Sequence, residues 1–261
     1  MRKTVSAIVL GMLLFVSGAF AQPRSSYQVV RGWPVLPEGF SLGQVSGLDV
    51  DSHNHVWLFH RGALKPVMAL DGHTGEVVAS FGEKMFVRPH GLRVDPKVYI
   101  WVTDKDDNLI YKFTHDGKVL LRIGTQGKAG CDATHFDGVT DLAFTPEGDF
   151  YVADGYQNSR VAKFSKEGRF QFDWGKKGAG PGQFDCPHSI SLDRQGLVYV
   201  ADRGNSRVQI FDPTGKYLLV GSQASNQVIV FAINPISGLL TPTGSVMDIP
   251  APVCIRMMSI P

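Results

Sequence analysis

Four stretches of the chain alternate apolar and polar positions in the same way. They begin SGLDVD at 46, HGLRVD at 90, TDLAFT at 140 and HSISLD at 188. A period of two marks a strand with one buried face. Each stretch is followed by a turn and a second strand: HVWLFHRG at 55–62, YIWVTDKD at 99–106, DFYVADGY at 149–156 and LVYVADRG at 197–204. A third strand follows in three of the four, in IYKFTHDGK, RVAKFSKEGR and RVQIFDPTGK. D-G, E-G and T-G pairs lie between strands, where a tight turn needs a left-handed residue.

The starts are 44, 50 and 48 residues apart. Four short antiparallel strands in a period of that length predict a propeller blade. The cores YVADGYQNSRVAKF and YVADRGNSRVQIF resemble the NHL repeat. The expected fold is all-β: a β-propeller of NHL-type four-stranded blades, about four complete plus a partial fifth. Such a ring can close or leave an edge strand exposed, and poor closure would lower its stability.

The repeat changes after FDPTGKYL at 211–218. The text YLLVGSQASNQVIVFAINPISG reads as strands two and three of another blade. A fourth strand and the next first strand would then have merged near Lys216–Tyr217. Residues 217–261 resemble the C-terminal end of 6-phosphogluconolactonase-type propellers. The predicted organisation is a leader over 1–21, an N-terminal segment over 22–37, the NHL propeller over 38–216, and lactonase-like terminal blade strands over 217–261.

The leader changes the cellular picture. MRKTVSAIVLGMLLFVSGAFAQ has a charged start, a short apolar run and an Ala19-Phe20-Ala21 cleavage signal, which predicts a signal peptide and a secreted or periplasmic protein. No later stretch reaches the length of a membrane span. The 26 basic residues, less Arg2 and Lys3, balance 24 acidic ones. A neutral exported chain has no electrostatic case for nucleic acid. Three cysteines, Cys131, Cys186 and Cys254, do not make a disulfide scaffold, and Cys131–Cys186 is one pairing that an oxidising compartment allows.

Residues 38–216 resemble the peptidyl-α-hydroxyglycine α-amidating lyases. The resemblance is carried jointly by GQVSGLDVD, FHRG, RPHGL, DGYQNSR, CPHSI and ADRGNSR, in that order. It implies a six-bladed propeller with zinc on its axis, and cleavage of a carbinolamide C–N bond to a peptide amide and glyoxylate. It also implies that His90 and His188 bind the zinc, that Tyr156 is catalytic, and that Arg61 and Arg203 are active-site arginines. The main-chain carbonyls of Leu48 and Leu92 would hold a structural calcium. The residue types suit these roles. Neutral imidazole ligates zinc well, a tyrosine beside a metal can move a proton, and arginine forks grip carboxylates.

One departure matters. The family's third zinc histidine lies in a later PHD-type motif. The nearest echo is IPAPVC at 249–254, and no histidine follows His188. A catalytic zinc usually has three protein ligands, so weak zinc binding and impaired lyase activity are expected. Cys186, two residues before His188, is a conceivable substitute donor. A non-catalytic NHL propeller that binds protein or peptide on one face is the alternative. A sugar lactonase ranks third, because the tail offers no catalytic residue.

Several residues also have structural readings. Arg61 and Arg203 could pair with Asp154 or Asp202. Asp104, Asp154 and Asp202 recur at one repeat position, which predicts a shared structural role. His53, His55, His60, His73, His115 and His135 fall mostly in turns and are expected to be solvated. The Gly-rich GTQGKAGCD has no helix after it and is no phosphate cradle.

Overall fold

The structure, a computed structural model, describes residues 30–222, 227–233 and 240–248. The predicted signal peptide and Cys254 lie outside the described residues. The first antiparallel sheet contains β1 (Val45–Val50), β2 (His55–His60), β3 (Val67–Asp71) and β4 (Val77–Phe81). The second contains β5 (Pro89–Val94), β6 (Ile100–Asp104), β7 (Leu109–Phe113) and β8 (Val119–Ile123). The third contains β9 (Val139–Phe144), β10 (Phe150–Asp154), β11 (Arg160–Phe164) and β12 (Phe170–Trp174). The fourth contains β13 (Pro187–Leu192), β14 (Val198–Asp202), β15 (Arg207–Phe211) and β16 (Tyr217–Ser222). Together they are the four blades of a β-propeller, with β1, β5, β9 and β13 packed side by side as its inner strands. No helix among the described residues is long and apolar enough to cross a membrane.

The fold departs from expectation in three places. The six blades implied by the resemblance are not found: the described residues form four, because only four repeats supply a complete meander. The first blade does have a third strand, β3, although its sequence lacks the recurrent wording. At the seam, Tyr217–Ser222 pairs with β15 from Arg207↔Ser222 to Phe211↔Tyr217, so it completes the fourth blade. Beyond it, β17 (Gln227–Ile233) and β18 (Leu240–Asp248) pair as a two-stranded hairpin.

Apolar side chains fill the spaces between sheets. Trp57, Phe59, Leu92 and Phe113 lie in the first interface, Trp101, Phe136, Phe150 and Phe164 in the second, and Tyr151, Phe184, Val200 and Phe211 in the third. The two middle blades are therefore buried on both faces, as the fully buried β6 and β10 record. The outer face of the first sheet packs Val56, Leu58, Met68 and Leu70 against Trp33, Leu36, Phe40 and Leu42 of the preceding segment. On β14 of the fourth sheet, Val198, Val200 and Asp202 are buried while Tyr199 and Ala201 are partly exposed.

A repeated hydrogen-bond device joins the first two strands of a blade. Asp51 and Asp95 each cap their turn and accept the indole N–H six residues on, at 3.0 Å from Trp57 and 2.9 Å from Trp101. Asp193 accepts the Tyr199 hydroxyl at 3.1 Å. The third blade has Thr145 at this position, and Tyr151 donates instead to the Pro213 carbonyl across the interface at 2.8 Å.

Candidate active site on the propeller axis

Each inner strand carries one extra residue near its start. The register skips between Val45 and Gly47, Pro89 and Leu92, Val139 and Asp141, and Pro187 and Ser189. A bulge re-aims the side chain it leaves unpaired. The residues at these four bulges are Ser46, His90, Thr140 and His188, and all line one axial cavity of about 410 Å³. Gly91, beside His90, lets β5 approach β9 closely: a Cβ there would collide with the Thr140 carbonyl.

The two predicted histidines meet. Their rings are 4.8 Å apart, and the Nε2 atoms of both lie 3.2 Å from the Tyr156 hydroxyl. His90 Nδ1 lies 2.9 Å from the Thr140 carbonyl. A carbonyl only accepts, so Nδ1 carries the proton and the Nε2 lone pair faces Tyr156. Tyr156 then donates to His90 and accepts from His188. Burial pushes the His90 pKa down to about 4, with Arg61 and Lys105 adding to the effect. Burial, His90, Arg203 and Arg61 push His188 down to about 3. Both imidazoles are neutral near pH 7.

Tyr156 follows β10, and its main-chain N–H donates to the Gly138 carbonyl at 3.1 Å. Gly138 has φ of +84°, and a Cβ there would strike Tyr156. Three cations occupy one repeat position after the second strand: Arg61, Lys105 and Arg203. Their main-chain N–H groups bond the residue facing them, Gln44, Arg88 and Cys186. Arg203 lies 5.2 Å and Lys105 Nζ 4.7 Å from the Tyr156 ring centre. Arg61 donates to the Pro89 carbonyl and to Gln44, each at 3.2 Å. The third blade has Gly155 at this position. Lys105 is the site residue that sequence reasoning missed, although the repeat alignment sets it level with Arg61 and Arg203.

The structural readings divide. Asp154 pairs with Arg160 at 2.9 Å and Asp202 with Arg207 at 2.8 Å. Among the described residues no carboxylate pairs with Arg61 or Arg203, so both guanidinium groups are available to an anion. Asp104, Asp154 and Asp202 are fully buried and tie loop N–H groups, as their recurrence predicts. His60 replaces aspartate at this position in the first blade, accepting from Gly43 and Gly62 through Nδ1. Cys131 and Cys186 are both free thiols rather than a disulfide, and Cys186 is buried. Cys186 joins no three-residue metal cluster with His90 and His188.

The donor set fits zinc in part. Two neutral imidazoles converge on one point: His90, oriented by a carbonyl in the manner of a metal ligand, presents a free lone pair, and His188 would present one once its proton moves to Nδ1. The phenol oxygen of Tyr156 is the third donor in reach. Calcium at Leu48 and Leu92 fits less well. The Leu92 carbonyl accepts a guanidinium N–H of Arg93 at 3.2 Å, and Arg93 also donates to the Leu142 carbonyl and to Asp141. A second cation at that carbonyl would meet like charge. The residues do not fit calcium there.

Comparison with known proteins decides the family. The NHL repeat family matches residues 184–211, and the family described as "Lactonase, 7-bladed beta-propeller" matches 206–257. The human NHL repeat-containing protein 3 is 30% identical over 250 residues, 82% of this chain and 72% of its own length. The chain belongs to the NHL-repeat propellers. The rat peptidylglycine α-amidating monooxygenase is 36% identical over 256 residues, 84% of this chain and 26% of its own length. The Caenorhabditis elegans protein named "Probable peptidyl-alpha-hydroxyglycine alpha-amidating lyase" is 33% identical over 195 residues, 65% of this chain and 56% of its own. The chain spans about a quarter of the length of the monooxygenases it matches.

Proposed function

We propose that the axial cavity is a lyase site for peptides ending in α-hydroxyglycine, in a protein exported by its leader. One observation carries this reading: two neutral imidazoles converge on the Tyr156 hydroxyl beside Arg61 and Arg203, with which no carboxylate pairs among the described residues. Arg61 and Arg203 would grip the substrate carboxylate, while Lys105, paired with Asp106, stands over the Tyr156 ring. Tyr156 Oη, once its own proton has passed to solvent, would take the proton of the substrate hydroxyl. As that O–H bond breaks, the carbinol carbon and oxygen form a carbonyl, the C–N bond breaks, and the amide nitrogen takes the proton that Tyr156 has accepted. The products are a peptide amide and glyoxylate. His90 and His188 would hold a zinc ion, which supplies Lewis-acid polarisation when bound. With Thr140 and Ser46 at the other two bulges, that site has one imidazole fewer than a three-histidine centre. We therefore expect loose zinc and slow turnover.

The same two-histidine set supports a second reading, a propeller that binds carboxylate-ended peptides without turnover. A lactonase reading has less support, since every residue lining the cavity precedes the lactonase-like segment. The test is glyoxylate release from an α-hydroxyglycine peptide, with and without added Zn²⁺. Slow release that zinc stimulates and Tyr156→Phe abolishes supports the lyase. Binding of the peptide with no release at any zinc concentration supports the second reading.

A further inference from the structure

We propose that His53, His55 and His115, oriented by Asp51, form a second metal site, one for a zinc-class divalent cation. It lies on the opposite face from the axial cavity. β1 begins at the cavity with Val45 and ends at Val50, and Asp51 comes directly after it. Asp51 lies four residues beyond Gly47, the last β1 residue lining the cavity, about 13 Å along the strand.

The cluster draws on two blades. His53 and His55 come from the turn between β1 and β2, and His115 from the turn between β7 and β8. Asp51 stands at the centre with a fully buried side chain. It accepts the N–H groups of His53 at 2.8 Å and His55 at 2.9 Å, and the Trp57 indole at 3.0 Å. Burial pushes its carboxyl up, but these hydrogen bonds outweigh burial and hold it below the usual carboxylate range. It is a fixed anion.

Three imidazoles surround that anion. His55 Nδ1 lies 3.0 Å from Asp51 Oδ2. As a donor to the carboxylate, Nδ1 keeps its proton and leaves the Nε2 lone pair free, the arrangement that orients metal-binding histidines. His115 Nε2 is 3.9 Å from Asp51 Oδ2, and His53 Nδ1 is 4.0 Å from Oδ1. Both distances are too long for hydrogen bonds. Asp51, His53 and His55 each offer one donor atom within 4.8 Å of the others; donors on one tetrahedral zinc stand about 3.3 Å apart, so the side chains would close in on the ion and His115 would swing toward it from the neighbouring turn. His115 is stacked on Trp57, with ring centres 5.6 Å apart at 19°. His53 and His55 stack at 5.9 Å, and His53 meets His115 edge-on at 6.4 Å. All three histidines retain solvent access.

The donor type sets the cation class. Imidazole nitrogen suits Zn²⁺, Cu²⁺ and Ni²⁺, whereas Mg²⁺ and Ca²⁺ require oxygen ligands. Because the ligands sit on two sheets, the bound ion would pin the first blade to the second.

The test uses the full chain, with the rim and axial sites separated by substitution. In a His90→Ala/His188→Ala background, Zn²⁺ calorimetry should still show one site, and adding His53→Ala/His115→Ala should weaken it at least 100-fold. In the otherwise unaltered protein the same rim pair should remove one of two zinc sites, which covers a failure of the axial variant to fold. His115→Gln supplies a milder rim change, and melting without metal checks folding. Cu²⁺ electron paramagnetic resonance should show imidazole nitrogen couplings that fall by one with each histidine removed. Zinc uptake that the rim substitutions leave unchanged, or no uptake at all outside the axial site, overturns the proposal.

Discussion

The Tyr156 hydroxyl oxygen lies 3.2 Å from His188 Nε2. With His90 at the same distance on its other side, the phenol is the one oxygen that both imidazoles share. Tyr156→Phe removes that oxygen and keeps the ring that Arg203 and Lys105 approach. Glyoxylate release should fall about 100-fold or more, the range of a lost acid–base group. Binding of the product glyoxylate should change little, as read by competition.

Arg61 and Arg203 should act on binding. Arg61→Ala and Arg203→Ala are each expected to raise KM about tenfold or more, since a hydrogen bond to a charged group contributes about 1.5–3 kcal/mol. Lysine should restore only part of the loss, because its point charge lacks the guanidinium fork. Steady-state kinetics on a carboxylate-ended substrate, against its amide, separates this effect from a change in kcat.

The buried histidines should make the fold acid-sensitive. The pKa of His90 is about 4 and that of His188 about 3, against 6.5 unfolded. Between pH 6.5 and about 4 the unfolded chain therefore binds more protons, and stability rises with pH. The melting temperature should fall as pH drops from 7 toward 4. A His90→Gln/His188→Gln variant should flatten that slope; an unchanged slope would assign the sensitivity to other groups.

Arg93 should be a structural cation. Asp141 accepts from Arg93, from the Ser189 hydroxyl and from the Ile190 N–H, so it joins the second, third and fourth blades. Arg93→Ala leaves this buried carboxylate short of its partner, a change that costs about 3–5 kcal/mol, to be read from urea unfolding. Calcium should leave the melting temperature of the unsubstituted protein unchanged. If calcium stabilises it, the carbonyls of Leu48 and Leu92 do accept that ion.

The repeat is legible in the sequence because strand periodicity and turn chemistry are local. SGLDVD, HGLRVD, TDLAFT and HSISLD fall on β1, β5, β9 and β13. The convergence of His90, His188, Tyr156, Arg61 and Arg203 is legible through matched motifs. The role of Tyr217–Ser222 is not. Alternation identifies a strand but not the sheet it joins, and its pairing with β15 is a matter of non-local hydrogen bonds. Arg93 reads as the polar half of an alternating strand, because nothing in HGLRVD reveals that its guanidinium reaches Leu142 and Asp141. The turn histidines read as solvated, since 53, 55 and 115 are brought together only by the packing of neighbouring blades. The segment at 33–42 carries no repeat, yet it covers a face of the first sheet that another blade would otherwise occupy.

The inner-strand bulges have a consequence for how such a site can change. Each blade contributes one residue to the axis, and here the four spell Ser46, His90, Thr140 and His188. Their main-chain setting is shared, so the chemistry of the centre can be rewritten one position at a time while the scaffold stays as it is. A ligand lost from one strand can in principle be regained on another.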